Sequence, residues 1–170
     1  VKTEQSTGED RGVGEIPIRC GANALYMLIR LQGGAVEFTA VANELEQRVT
    51  GNSILELREA SGRLGYPAVI EKREDFQFAP GMLPVMAFTN NGIVKTKEWI
   101  GHFVVVLSVT SDRVVYLDGT TSQRLDVKKS WFTKGSPGHI VRLAHAEYRS
   151  NLSATAIRAI AYSAPILLLC

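Results

Sequence analysis

The sequence predicts an α+β domain, with an N-terminal helical part packed against an antiparallel sheet. Three observations carry this. Helix-forming segments punctuated by glycine fill residues 20–65, short β-branched runs separated by turns fill residues 68–143, and one of those runs is continuous enough for a central strand. The chain has 170 residues, 45% hydrophobic and 21% charged, which suits one globular core and excludes a disordered chain.

The first helix is predicted from Cys20 to Leu31, apolar nearly all round, with Gln32-Gly33-Gly34 as its stop. A second is expected over Phe38–Gln47, with Thr39 as cap and Val41, Ala42 and Leu45 on its inner face. Ser53, followed three residues later by Glu56, has the pattern of a capping box that opens a third helix, ending at Gly62 or Gly65. Strands are then expected at Ala68–Ile70, Phe76–Phe78 and Leu83–Phe88, with a hairpin turn at Asn90-Asn91-Gly92. His102–Val109 reads as a strand buried on both faces. Thr110–Arg113 turns it back into Val114–Asp118, and a last strand is expected at His139–Leu143.

Net charge is +2 and no run of Lys or Arg exceeds two, so no nucleic-acid footprint is present. Two cysteines near opposite ends argue against a disulfide framework and for a reducing compartment or one functional thiol. No His, Cys and carboxylate set has metal-ligand spacing, no phosphate-binding loop is found, and no cofactor is expected. Residues 1–15 lack the apolar core of a signal peptide and read as a processed or cut start. From Leu152 the chain is apolar except for Arg158 and a few small hydroxyl residues. This reads either as a last amphipathic helix ending near Pro165 or as the start of a membrane span, which needs about 20 residues. The expected organisation is one domain over 1–145, with its core at about 14–143, then a linker and apolar segment over 146–170.

Cys20 falls at the start of the buried helix, where backbone N–H groups and the helix dipole favour a thiolate. Gly21 is expected to let a substrate backbone approach the sulfur, and Gly101 to do the same beside His102. A thiolate nucleophile needs a base that later returns the proton, and histidine suits both roles at neutral pH. His102 stands at the mouth of the central strand. Asp118 comes sixteen positions later, at the end of the returning strand, so the turn at 110–113 brings imidazole and carboxylate side by side. His139 has no acid on a returning strand and reads as structural; His145 reads as solvated.

Cys20-Gly21-Ala22-Asn23-Ala24-Leu25, then Gly101-His102-Phe103-Val104-Val105-Val106 and Val115-Tyr116-Leu117-Asp118-Gly119, resemble in order and spacing the motifs of the bacteriocin-processing, double-glycine leader peptidases. The segment from Leu125 through Trp131-Phe132 to Gly135 resembles the stretch after the Asp in that family. The resemblance implies a papain-like cysteine peptidase fold, with Cys20, His102 and Asp118 as the catalytic set. It also implies a peptide substrate cut after a small-residue pair, and a place at the cytosolic face of a membrane exporter. The family has a Gln six positions before the Cys, as the side-chain donor to the oxyanion beside the Cys backbone N–H. Here that position is Gly14, and Asn23 or Gln5 is left as the replacement. Gly119 stands where the family commonly has Pro. Two other readings remain: a peptidase-like module that holds an exported peptide without cutting it, and a papain-like amidase or acyltransferase.

Overall fold

The computed structural model describes residues 20–45, 51–90 and 101–144. The elements in chain order are α1 (Cys20–Leu31), α2 (Phe38–Asn43), α3 (Ile54–Arg63), β1 (Ala68–Lys72), β2 (Val85–Thr89), β3 (His102–Val109), β4 (Arg113–Asp118), β5 (Arg124–Lys128), α4 (Lys129–Gly135) and β6 (His139–Leu143). All strand pairs are antiparallel, in one sheet of order β1-β6-β2-β3-β4-β5. The expected α+β class, helices against an antiparallel sheet, is what the chain adopts.

α1 is the axis of the helical part. Leu25, Leu28 and Ile29 are fully buried, and the helix packs chiefly on β3. Burying each such side chain stabilises the fold by about 1.5–3 kcal/mol. The helix stops at Gly33, whose φ of 84° carries the chain into the left-handed region. The Gly34 N–H then reaches back to the Ile29 carbonyl at 2.9 Å and the Gly33 N–H to that of Arg30 at 3.1 Å, closing the carbonyls left open at the helix end. α3 begins with the expected capping box: the Ser53 hydroxyl accepts from the Glu56 N–H at 3.2 Å, and the Glu56 carboxylate accepts from the Ser53 N–H at 2.7 Å.

The sheet has a core on each face. Met86, Phe103, Val105 and Leu117 pack with α1, α2 and α3, while Val104, Val106 and Tyr116 face Phe76 and Phe132 on the other side. Phe132 belongs to α4, and its ring lies edge-on to Phe76 at 5.0 Å between centroids. One β3–β4 feature sets the reach of the site. The register shifts between Val106 and Ser108, a bulge that leaves Leu107 as the extra residue, and beyond it Val104 stands opposite Asp118. His102 is therefore two positions, one same-face step, past the partner of Asp118.

Several expectations need correction. Phe76–Phe78 is no strand: Phe76 has a φ of 47°, and the Gln77 N–H donates to the Asp75 carboxylate at 3.1 Å, so the segment is a turn that drives the Phe76 ring into the core. α2 ends at Asn43, not Gln47, and is preceded by Glu37 at the cap position instead of Thr39. β5 and α4, which come after β4, were not anticipated as elements. β3 is buried only over its first five residues, and the bulge marks where its burial ends. Among the described residues no helix is long and apolar enough to cross a membrane, and the apolar stretch after Leu152 lies outside them.

Candidate active site

Three elements converge at one end of the sheet. Cys20 is the first residue of α1, His102 the first of β3 and Asp118 the last of β4. All three are buried, Cys20 at 3%, His102 at 8% and Asp118 at 2% exposure, so charge interactions among them are weakly screened. His102 Nε2 lies 2.7 Å from Asp118 Oδ2. That leaves the other ring nitrogen, Nδ1, for the Cys20 side chain, which lies close enough to raise the His102 pKa.

The carboxylate is held from behind. Asp118 Oδ1 accepts from the Thr120 N–H at 2.9 Å, the Thr121 N–H at 2.8 Å and the Thr121 hydroxyl at 3.1 Å. Three donors on one oxygen leave the other free for the imidazole and fix the carboxylate plane. Sequence reasoning missed this turn; the only signal was the pair of hydroxyl residues after Asp118-Gly119, the composition of a local side-chain-to-backbone turn.

These contacts set the protonation states. Burial alone would lower the His102 pKa, but the hydrogen bond to Asp118, its negative charge and the neighbouring Cys20 raise it to about 9. Burial would raise Asp118, yet the His102 bond and the Thr121 and Thr120 N–H groups hold it below the ordinary carboxylate value. At neutral pH the pair is imidazolium and carboxylate, and the imidazolium is the counter-charge that a thiolate at Cys20 requires. Because folding raises this pKa, protonated His102 contributes stability that is complete below about 6.5 and lost as pH rises through about 9. Denaturation series over that range should show stability falling with pH in the native chain. In His102→Gln that slope should vanish; its persistence would place the titration elsewhere.

The two glycines expected beside the substrate each pack closely against side chains of the core. A side-chain carbon at Gly21 would stand 3.2 and 3.3 Å from the Leu57 methyls and 3.6 Å from the Phe103 ring, so the space it leaves open faces the core between α1, α3 and β3. At Gly101 the corresponding carbon would fall 2.0 Å from the tip of the Phe88 ring, which lies edge-on to Phe103 at 5.3 Å. Asn23 is half-buried on α1, one turn after Cys20, at the spacing that puts two residues on the same helix face. Gln5 and Gly14 lie outside the described residues, as does His145. His139 is exposed at the start of β6, with Lys72 as its register partner.

The helical part and the sheet are those of a papain-like cysteine peptidase fold, as comparison with solved structures shows. The chain is similar to a double-glycine-motif protease from an AMS/PCAT transporter crystallised with the leader peptide, at 18% identity and a TM-score of 0.61 over 73% of this chain and 82% of that one. It is also similar to the peptidase domain of Streptococcus ComA, a bifunctional ABC transporter of a quorum-sensing pathway, at 18% identity and a TM-score of 0.59, with 74% and 90% covered. A third similar structure is the N-terminal C39-like peptidase domain of a Vibrio parahaemolyticus toxin-secretion ATP-binding protein, at 16% identity and a TM-score of 0.60, with 75% and 99% covered. No protein-family model matches the sequence, and no curated protein does.

Proposed function

We propose that the domain is a cysteine endopeptidase that removes a leader peptide after a small-residue pair of the Gly-Gly type. The observation that carries this reading is a buried His102 bound at 2.7 Å to Asp118, with the buried Cys20 at a helix start close enough to raise the His102 pKa. Cys20 attacks the scissile carbonyl and forms a thioester. His102, as imidazolium, gives its proton to the leaving amine, and as imidazole it then takes one from the water that hydrolyses the thioester. Asp118 orients the ring and stabilises its charged form. The first N–H groups of α1 have no partner within the helix, so the Cys20 N–H is available to the oxyanion.

The second oxyanion donor in this proposal is the Asn23 side chain. Export coupling, with the domain at the cytosolic face of a membrane beside a transporter, is supported by the transporters from which the similar domains come. On this reading residues 146–170 lead toward the membrane part. No cofactor enters the scheme.

The test is cleavage of synthetic leaders ending in Gly-Gly, with bulky pairs as controls. Cutting after the small pair only, and rate lost as pH rises through about 9 where the imidazolium loses its proton, is the expected result. A native chain that binds such leaders without cutting them establishes the holding module, which Gly14 in place of the family amide favours. Asn23→Ala should lower kcat by about 10²-fold with little change in KM, because an oxyanion bond forms mainly in the transition state. If Gly14→Gln raises kcat and Asn23→Ala is silent, Asn23 is not the donor.

A further inference from the structure

Gly119 is the point at which this chain departs from the leader-peptidase pattern on the acid side of the site. Its backbone lies against the strand that carries His102 and the helix that carries Cys20. It comes directly after Asp118, and its N–H donates at 3.1 Å to the carbonyl of Phe103, the residue after His102. A side-chain carbon at 119 would stand 2.1 Å from that same oxygen and 2.7 Å from the carbonyl oxygen of Cys20. Both obstacles are backbone atoms, so neither can swing aside as the end of a flexible side chain would. One belongs to β3 beside the base, the other to the first residue of the nucleophile's helix.

We propose that Gly119 is a positioning residue that sets the reach between the Cys20 sulfur and the His102 ring. This deepens the peptidase reading and rests on it. α1 and the β3–β4 hairpin are separate elements, and the sulfur meets the imidazole only as closely as the two are seated. The missing side chain lets the Cys20 carbonyl lie flush against the turn that also carries Asp118. Ordinary contact for a side-chain carbon begins at 3.4 Å, so a methyl at 119 must push the start of α1 outward by a good fraction of an ångström and must also part the turn from β3. Misplacing a reacting group by about 1 Å costs about 10²-fold in rate. A Pro here would remove the N–H that donates to the Phe103 carbonyl.

The experiment uses the full chain with Cys170→Ser, leaving Cys20 as the only thiol. Native, Gly119→Ala and His102→Ala versions are compared for iodoacetamide labelling across pH, for leader cleavage and for thermal midpoint. Gly119→Ala should lose about 10²-fold in kcat with KM within a few-fold, and its labelling near pH 6 should fall toward that of His102→Ala. A role in stability alone would lower the thermal midpoint of Gly119→Ala yet leave its kcat and labelling profile native, and that result overturns the proposal. A native chain that labels no faster than His102→Ala sinks the peptidase reading itself, which keeps the two failures apart. Should Gly119→Ala not fold, the native Gly119 amide resonance decides: it must move when Cys20 is carboxamidomethylated, and an unmoved resonance rejects the contact.

Discussion

Cys20→Ala and His102→Ala are each expected to lower kcat by about 10⁶-fold, with the double variant no worse than either alone. In the proposed mechanism the two side chains act as one unit. Without the sulfur no thioester forms, and without the ring the sulfur has neither a proton acceptor nor a counter-charge, while the leaving amine has no acid. Removing the second partner after the first therefore takes away nothing further. His139→Ala is the matched control and should stay within a few-fold of native, since His139 lies exposed at the start of β6, opposite Lys72 and two strands across the sheet from His102. Single-turnover cleavage of a Gly-Gly leader measures all four variants. Additive losses in the double variant, or His139→Ala as slow as His102→Ala, would remove His102 from the proposed role.

The pairing of His102 with Asp118 is legible because it needs only counting. A β-branched run, a short turn and a returning run of known length bring the two strand ends together, and the bulge at Leu107 alters the register by one residue without parting them. The start of α1 at Cys20 is equally legible, from an apolar helix that stops at paired glycines. The features that stay hidden depend on contacts far apart in sequence. The insertion of β6 between β1 and β2 has no local signature. β5 is an edge strand whose Arg124, Asp126 and Lys128 face solvent, so it lacks the continuous apolar run that marks β3. Phe76 and Phe78 mimic strand alternation, whereas Asp75 makes a turn of the segment. Gly21 and Gly101 stand beside catalytic candidates in sequence, but the space they leave open is taken by Leu57 and Phe88, neighbours that only the folded chain reveals.

Asp118→Asn is expected to lower kcat by about 10⁴-fold while leaving the fold intact, and the turn behind Asp118 is the reason. In other papain-like sites an Asn serves in this position, its carbonyl oxygen accepting from the histidine. Here three donors, the Thr120 N–H, the Thr121 N–H and the Thr121 hydroxyl, already converge on Oδ1. An Asn side chain must place its carbonyl oxygen among those donors, which turns its NH₂ group toward His102 Nε2. That nitrogen then has to accept, so the ring carries its proton on Nδ1 and presents an N–H to Cys20. A ring in that tautomer cannot take the thiol proton, and no carboxylate remains to stabilise the imidazolium. The labelling profile of Cys20 should accordingly lose its advantage near pH 6, and cleavage its fall at about pH 9. Adding Thr121→Val to Asp118→Asn removes one of the three donors, and the two backbone N–H groups still dictate the amide orientation, so little activity should return. An Asp118→Asn chain that cleaves within ten-fold of native would show that the carboxylate does not orient the ring, and full recovery on adding Thr121→Val would assign the orientation to the hydroxyl alone.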